Sequence, residues 1–306
     1  MDGRYAPSPS GDLHLGNLRT ALVAWLMARA AGSRFVLRIE DLDRGRSREQ
    51  HIATQLADLA ALGLDWDGDV VRQSARGALY DAALDTLRSA GLLYECFCTR
   101  AEIREAASAP HGPGPEGAYP GTCRTLSTAG RAARLAAGRR PALRVRADGA
   151  IATIEDRLAG RLTATVDDFV VRRGDAGHAY NLAVVVDDAD QGIEEVVRGA
   201  DLLDSTPRQA WLAHQLELTP PLSYLHVPLV VGADGARLAK RHGAVTLKDL
   251  ATAGHGSGAV RGMLAASLGL AEPGEQPTAG QLRERFVPDD LARLKGEWKI
   301  TAVLRR

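Results

Sequence analysis

Apolar residues at positions 18, 21, 22, 25 and 26 recur at helical spacing, and they predict an amphipathic helix over 18–31 that Gly32 stops. Phe35-Val36-Leu37-Arg38-Ile39 is a short, nearly continuous apolar run. It predicts a buried strand that ends in Glu40-Asp41. Helical spacing returns at Ile52, Leu56, Leu59 and Ala60, behind Ser47 and Gln50, whose separation is that of a capping box. Leu64 to Asp67 reads as a loop. Tyr80, Ala83, Leu84 and Leu87 mark a third helix, stopped by Gly91, and Leu92-Leu93-Tyr94 reads as a strand. Ahead of all these, Met1 to Asn17 reads as a strand carrying Arg4 and Tyr5, a Pro/Gly loop, and the start of the first helix. Strand and helix thus alternate through residues 1–95, the rhythm of a parallel sheet of the dinucleotide-fold type.

The rhythm breaks at Cys96. Residues 108–121, SAPHGPGPEGAYPG, exclude a helix or an inner strand, and only short strands are legible near 143–146 and 169–172. Residues 96–178 are therefore expected to be an inserted subdomain. Asn181 to Asp190 predicts a helix, Glu195 to Arg198 a strand, and 208–216 a helix with Pro207 at its first position and Thr206 as its cap. Tyr224 to Val231 predicts one long buried strand, so the second half of the nucleotide fold spans 179–245. A tail of short helices is expected over 246–253, 258–269, 278–286 and 288–295, within a final segment 246–306. No internal repeat is present. The expected class is α/β, with a Rossmann-type parallel sheet divided around an insertion.

Composition changes this picture little. The chain has 306 residues, with 38 basic and 38 acidic side chains. Lys occurs only at 240, 248, 295 and 299, and Arg supplies the remaining cations, as a GC-rich coding sequence would give. A neutral total neither demands nor excludes RNA, because affinity follows the phosphates locally neutralised. No run of eighteen apolar residues predicts a membrane span, and no basic-then-apolar leader is present, so a cytoplasmic protein without membrane contact is expected. Three cysteines, an odd number, argue against a disulfide framework.

Three groups of residues carry chemistry. His14-Leu15-Gly16-Asn17 stands at a helix start, where unpartnered amides and positive partial charge suit a phosphate. Arg237-Leu238-Ala239-Lys240-Arg241 follows the last sheet strand, where mobile cations can track the charge of a transferring phosphate, although a solvated basic turn has the same composition. Cys96-x-Cys98 with Cys123 offers three thiolates to a tetrahedral zinc. Tyr119, His111 and water are the candidates for the fourth position, and residue chemistry alone favours His111. Glu40-Asp41, at a strand end beside the nucleotide loop, suits a ligand amine or ribose, or else a solvated turn.

Together these stretches resemble class I aminoacyl-tRNA synthetases of the glutamyl type. Arg4-x-Ala6-Pro7-Ser8-Pro9-x-Gly11 followed by His14-Leu15-Gly16-Asn17 is similar to the family's first signature. Arg38-Ile39-Glu40-Asp41-x-Asp43-Arg44 is similar to its second, and Ser205-Thr206-Pro207-Arg208-Gln209 and the 237–241 loop to the later ones. The order is preserved over residues 3–245. The cysteine pattern resembles the zinc site of the glutamyl-Q tRNA(Asp) synthetase branch, where a tyrosine is the fourth ligand. That resemblance assigns Cys96, Cys98, Tyr119 and Cys123 to zinc and leaves His111 in a loop. The short helical tail, where full glutamyl synthetases carry a helical anticodon-binding domain, points to the same branch.

The resemblance implies a glutamate pocket lined by Arg4, Ala6, Ser8, Glu40, Tyr180 and Arg198, with Glu40 meeting the α-ammonium. It implies that His14, Gly16, Asn17 and Lys240 hold ATP, supplied with Mg2+, and that His14, Asn17 and Lys240 are catalytic. The implied reaction is ATP-dependent activation of L-glutamate, then its transfer to queuosine at the wobble position of tRNA(Asp), by a monomer. Two departures stand out. Arg237 and Ala239 occupy places that often hold Lys and Ser, and Val184 stands where full glutamyl synthetases tend to have Asn. The rival readings are a truncated glutamyl-tRNA synthetase charging the tRNA 3′ end, a non-catalytic tRNA-binding paralogue, and a small-molecule adenylyltransferase. Retained His14, Glu40 and Lys240 oppose the second rival, and the zinc pattern with Arg4 and Arg198 opposes the third.

Overall fold

In chain order the strands are β1 (Gly3–Tyr5), β2 (Phe35–Ile39), β3 (Val71–Arg72), β4 (Leu93–Cys96), β5 (Ala142–Val145), β6 (Ile151–Asp156), β7 (Gly160–Thr165), β8 (Val170–Arg172), β9 (Glu195–Gly199), β10 (Ser223–Val227), β11 (Val230–Val231) and β12 (Trp298–Lys299). The helices are α1 (Leu15–Ala30), α2 (Glu49–Ala61), α3 (Gly77–Ser89), α4 (Thr128–Ala136), α5 (Tyr180–Asp190), α6 (Thr206–Gln215), α7 (Leu247–Thr252), α8 (Ser257–Ala266) and α9 (Ala279–Arg285). They come from a computed structural model that describes residues 1–99, 101–103, 119–231, 245–289, 294 and 298–299. The loop residues Arg237 to Arg241, with Lys240, lie outside that range, as do His111 and most of the expected helix 288–295.

The main sheet runs β3-β2-β1-β9-β10-β6-β7, parallel throughout except for the edge pair β6 and β7. Strand order turns at β1 and β9. The chain moves outward from β1 to β2 on one side and from β9 to β10 on the other. Such a reversal leaves a crevice at the carboxyl ends of the strands. The hairpin β6–β7 was not legible in the sequence. It comes from within 96–178 and joins the main sheet beside β10, whereas β5 pairs with β4 on one side and β8 on the other in a separate antiparallel sheet.

Helix α1 is not amphipathic, contrary to the spacing argument. Besides the predicted stripe it buries Val23, Ala24, Met27 and Ala28. Its other side packs on α8 and α9, where Leu264 and Leu282 are fully buried in the same cluster as Leu22 and Leu26. Each such leucine contributes about 2 kcal/mol of apolar burial, so the tail helices hold α1 in place on the sheet.

Four further expectations are corrected. Ser47 caps nothing: its hydroxyl donates to the Asp43 carbonyl, and Arg48 is the N-cap of α2. On α2 it is Gln55 that is buried, not Ala60, which is exposed. Thr206 is the first helical residue of α6 rather than its cap, because its hydroxyl is used by Arg198. The long strand 224–231 breaks at Pro228, which has no N–H to give the ladder and whose carbonyl accepts from Arg19 at 3.0 Å. Arg19 has no carboxylate partner among the described residues, and burial pulls its pKa down to about 10.

Candidate functional site

A cleft of 530 Å³ opens where the ends of β1 and β9 diverge. Nine of the residues singled out in the sequence line it: Arg4, Ala6, Ser8, His14, Gly16, Asn17, Glu40, Tyr180 and Arg198. Local structure explains why they meet. Arg4 and Ala6 lie at the end of β1, Arg198 near the end of β9, Glu40 just past β2, and His14 and Tyr180 at the starts of α1 and α5. Two described residues flank the 232–244 segment. Val231 follows the lining residue Val230, and the Val245 carbonyl accepts the Leu15 amide at 3.0 Å.

The helix start differs from the expectation of unpartnered amides. His14 is the N-cap of α1, and its Nδ1 accepts from the amides of Gly16 at 3.1 Å and Asn17 at 3.3 Å. Asn17 Oδ1 in turn accepts the His14 amide at 3.2 Å, and the Leu18 amide donates to the His14 carbonyl. This is a capping box with an imidazole in the cap position. Accepting at Nδ1 leaves the proton of the neutral ring on Nε2. The helix start therefore presents an imidazole rather than bare helix amides. Gly16 lets the imidazole lie close to the backbone, since a Cβ there would stand 3.0 Å from His14 Cε1 and the ring would have to shift.

The two predicted arginines differ in kind. Arg4 is buried and already neutralised. Its Nε donates to Asp188 Oδ1 at 3.2 Å, its Nη2 to Oδ2, and its Nη1 to the Val197 carbonyl. Arg38, fully buried, shares Asp188 at 2.7 Å and approaches Asp187. Arg198 gives three N–H groups to neutral acceptors only: His226 Nε2 at 3.1 Å, the Tyr180 hydroxyl at 3.2 Å and Thr206 Oγ1 at 2.8 Å. No carboxylate pairs with it among the described residues, and two of its five N–H groups remain. Among the described residues it is the uncompensated cation of the cleft, and an anionic group is what its planar fork suits. Glu40 supplies the opposite sign. Burial pushes its carboxyl up to about 7, against the pull of Arg38 and Arg4. A cleft with one unpaired guanidinium and one unsettled carboxylate matches a zwitterion that also bears an acidic side chain. Asp41, the neighbour of Glu40, is excluded from this role because its carboxylate takes the Ser74 amide and hydroxyl at 2.7 and 2.6 Å.

The thiols form a second centre. The sulfurs of Cys96, Cys98 and Cys123 lie within 4.8 Å of one another, with Cys98 and Cys123 at 3.5 Å. The Tyr119 hydroxyl stands 3.3 Å from Cys96 Sγ and 3.7 Å from Cys98 Sγ, and it also accepts the Cys123 amide. Ligand sulfurs around a tetrahedral zinc are about 3.8 Å apart for Zn–S bonds near 2.3 Å. Three thiols and one phenol at such spacing fit a metal. Burial pushes the Cys98 thiol up to about 11, opposite to what a redox nucleophile needs.

Several residues that support the cleft escaped sequence reasoning. Gln55 donates to the carbonyls of Ser8 and Gly11 and so pins the Pro/Gly loop. Asp188 neutralises Arg4 and Arg38. His226 and Asp156 back Arg198. The signal available was a polar residue inside an apolar run: Asp187-Asp188 after Ala183-Val184-Val185-Val186, and His226 within Tyr224-Leu225-His226-Val227. Val184, noted as a departure, packs in the core below the cleft and does not line it.

Residues 1–272 match the family model for the catalytic domain of class I tRNA synthetases (E and Q). A relative from Nocardia farcinica, named glutamyl-Q tRNA(Asp) synthetase, is 61% identical over 98% of this chain and 93% of its own length. A second so named, from Symbiobacterium thermophilum, is 51% identical over 96% and 94%. The crystal structure of a glutamate-tRNA synthetase from Elizabethkingia anophelis superposes with a TM-score of 0.82 at 24% identity, over 99% of this chain and 68% of the other, which is a likeness of fold. Among the described residues no helix is long and apolar enough to cross a membrane.

Proposed function

The chain belongs to the class I tRNA synthetase (E and Q) family, and from that premise we propose that it activates L-glutamate with ATP and passes the glutamyl group to queuosine at the wobble position of tRNA(Asp). The names of its full-length relatives support the acceptor. The observation that carries the glutamate half is Arg198, a cation held in the cleft by neutral partners. The glutamate side-chain carboxylate takes the two remaining N–H groups of Arg198, and the α-ammonium meets Glu40. The α-carboxylate oxygen attacks the α-phosphorus of ATP, and the bond from that phosphorus to pyrophosphate breaks. His14 through Nε2–H and Asn17 hold the phosphates, Lys240 offsets charge on the α-phosphate, and Mg2+ accompanies the nucleotide.

Cys96, Cys98, Tyr119 and Cys123 would hold a structural Zn2+, which ties β4 to the segment ahead of α4 and stabilises the insertion. Segment 96–178 would face the acceptor RNA. The enzyme would work in the cytoplasm as a monomer. The test is transfer of labelled glutamate to tRNA(Asp) with and without queuosine. Labelling of the modified tRNA alone is expected. Labelling of unmodified tRNA at its 3′ end would establish a truncated glutamyl-tRNA synthetase instead.

A further inference from the structure

Arg198 does not hold its place alone. Behind it, Asp156 at the end of β6 and His226 in β10 are both almost fully buried, and Asp156 Oδ2 lies 2.7 Å from His226 Nδ1. Asp156 is fixed as an acceptor by three backbone donors: the amides of Leu158 and Ala159 on Oδ1, and the amide of His226 on Oδ2. The imidazole therefore donates from Nδ1, which leaves Nε2 as an acceptor, and that is the atom facing Arg198 Nε at 3.1 Å. Protonation at Nε2 would set two donors against each other. Burial, with Arg198 opposing a second proton, also lowers the pKa of His226.

We propose that His226, oriented by Asp156, is a positioning residue that aims the Arg198 guanidinium into the cleft while leaving its charge uncompensated for a carboxylate side chain. A carboxylate placed directly on Arg198 would orient it equally well but would neutralise it, as Asp188 does to Arg4. The ring between Asp156 and Arg198 separates orientation from neutralisation. Tyr180 and Thr206 hold the terminal nitrogens on the same principle, as neutral acceptors. The consequence is preference for an acidic side chain over its amide, and part of that preference is set by residues that never touch the amino acid. β6 belongs to the segment inserted between the two halves of the fold, so the insertion helps to set the amino-acid specificity.

The inference rests on the glutamate reading, and the experiment separates the two. Amino-acid-dependent pyrophosphate exchange is measured for the wild type, His226→Leu, His226→Gln and Asp156→Asn, with glutamate and with glutamine. For His226→Leu the KM for glutamate should rise at least tenfold, the KM for ATP should stay within twofold, and the glutamate-to-glutamine preference should fall at least tenfold. His226→Gln, whose amide oxygen can accept from Arg198, should recover most of the preference. Asp156→Asn should lie between the wild type and His226→Leu. Unchanged glutamate KM and preference in a folded His226→Leu protein overturns the proposal and leaves the glutamate reading intact. If that variant does not fold, failure of His226→Gln to exceed Asp156→Asn in preference overturns it. A wild type that does not activate glutamate overturns both.

Discussion

Arg4 and Asp188 form a buried pair, Nε to Oδ1 at 3.2 Å, joining the first strand of the sheet to the helix that opens its second half. The pair divides the labour of the cleft's two arginines. Arg4 is paired with the Asp188 carboxylate, whereas Arg198 has no carboxylate partner among the described residues and is the one we propose for the substrate side chain. Asp188→Asn should destabilise the protein by about 3 kcal/mol or more, because Arg4 and Arg38 would both lose their shared buried counter-charge. Urea denaturation measures this. Arg198→Gln should instead leave the midpoint nearly unchanged and cut glutamate-dependent exchange at least a hundredfold.

His14 combines two tasks that substitution can separate. His14→Ala should cost about 1 kcal/mol through the lost cap and also abolish phosphate contact. His14→Asn keeps an oxygen able to cap Gly16 and Asn17 but has no donor where Nε2–H stands. It should retain the wild-type Tm while lowering exchange about a hundredfold, the usual loss for one transition-state donor. Wild-type activity in His14→Asn would assign the residue to capping alone.

Glu40 predicts a pH effect of definite sign. Burial raises its pKa from 4.5 to about 7. An acid held above its unfolded value binds more protons when folded, so its contribution to stability falls as pH rises from about 4.5 through 7. Glu40→Gln should therefore raise stability at pH 8 by up to about 3 kcal/mol and leave it nearly unchanged at pH 4, as read by thermal melts. The same substitution should raise the KM for glutamate steeply, since the α-ammonium loses its counter-charge. In the wild type that KM should rise as pH falls below about 7.

Lys240 follows the described strand that ends at Val231 and precedes Val245, which is tied to Leu15. Lys240→Ala should reduce glutamate activation at least a hundredfold, about 3 kcal/mol, with little change in glutamate binding. Exchange kinetics alongside equilibrium dialysis of glutamate distinguish the two.

The thiol cluster should carry one zinc per chain by elemental analysis. Cys98→Ser should lose it and loosen the insertion, seen as new protease cleavage between residues 96 and 178. Tyr119→Phe is the sharper test. Loss of metal with the three cysteines intact identifies the phenol as the fourth ligand, whereas full occupancy excludes it.

Much of this was legible in the chain. Periodicity marked α2 and α3, because each buries one face, and short apolar runs marked the buried strands β2 and β9. Periodicity failed where two neighbours share an element. α1 is covered by the sheet and by the tail, so its stripe widened into a full circumference. Turn chemistry failed where another partner claimed the side chain, the Asp43 carbonyl for Ser47 and the Arg198 guanidinium for Thr206. The hairpin β6–β7 was missed because its alternation, polar on the open face, mixes Thr, Arg and Glu and carries few large apolar residues.

By itself the sequence determined which residues line the cleft, because strand ends and helix starts are local features and the signatures sit on them. It also determined the composition of the thiol cluster. Only the tertiary structure decided what each residue has left to give. Arg4 and Arg198 are the same side chain, and spacing cannot tell them apart. One is neutralised by a carboxylate 184 positions away. The other is held by a hydroxyl 18 positions away in sequence, another 8 away and an imidazole 28 away. Free charge is a property of the neighbours that folding brings within about 3 Å.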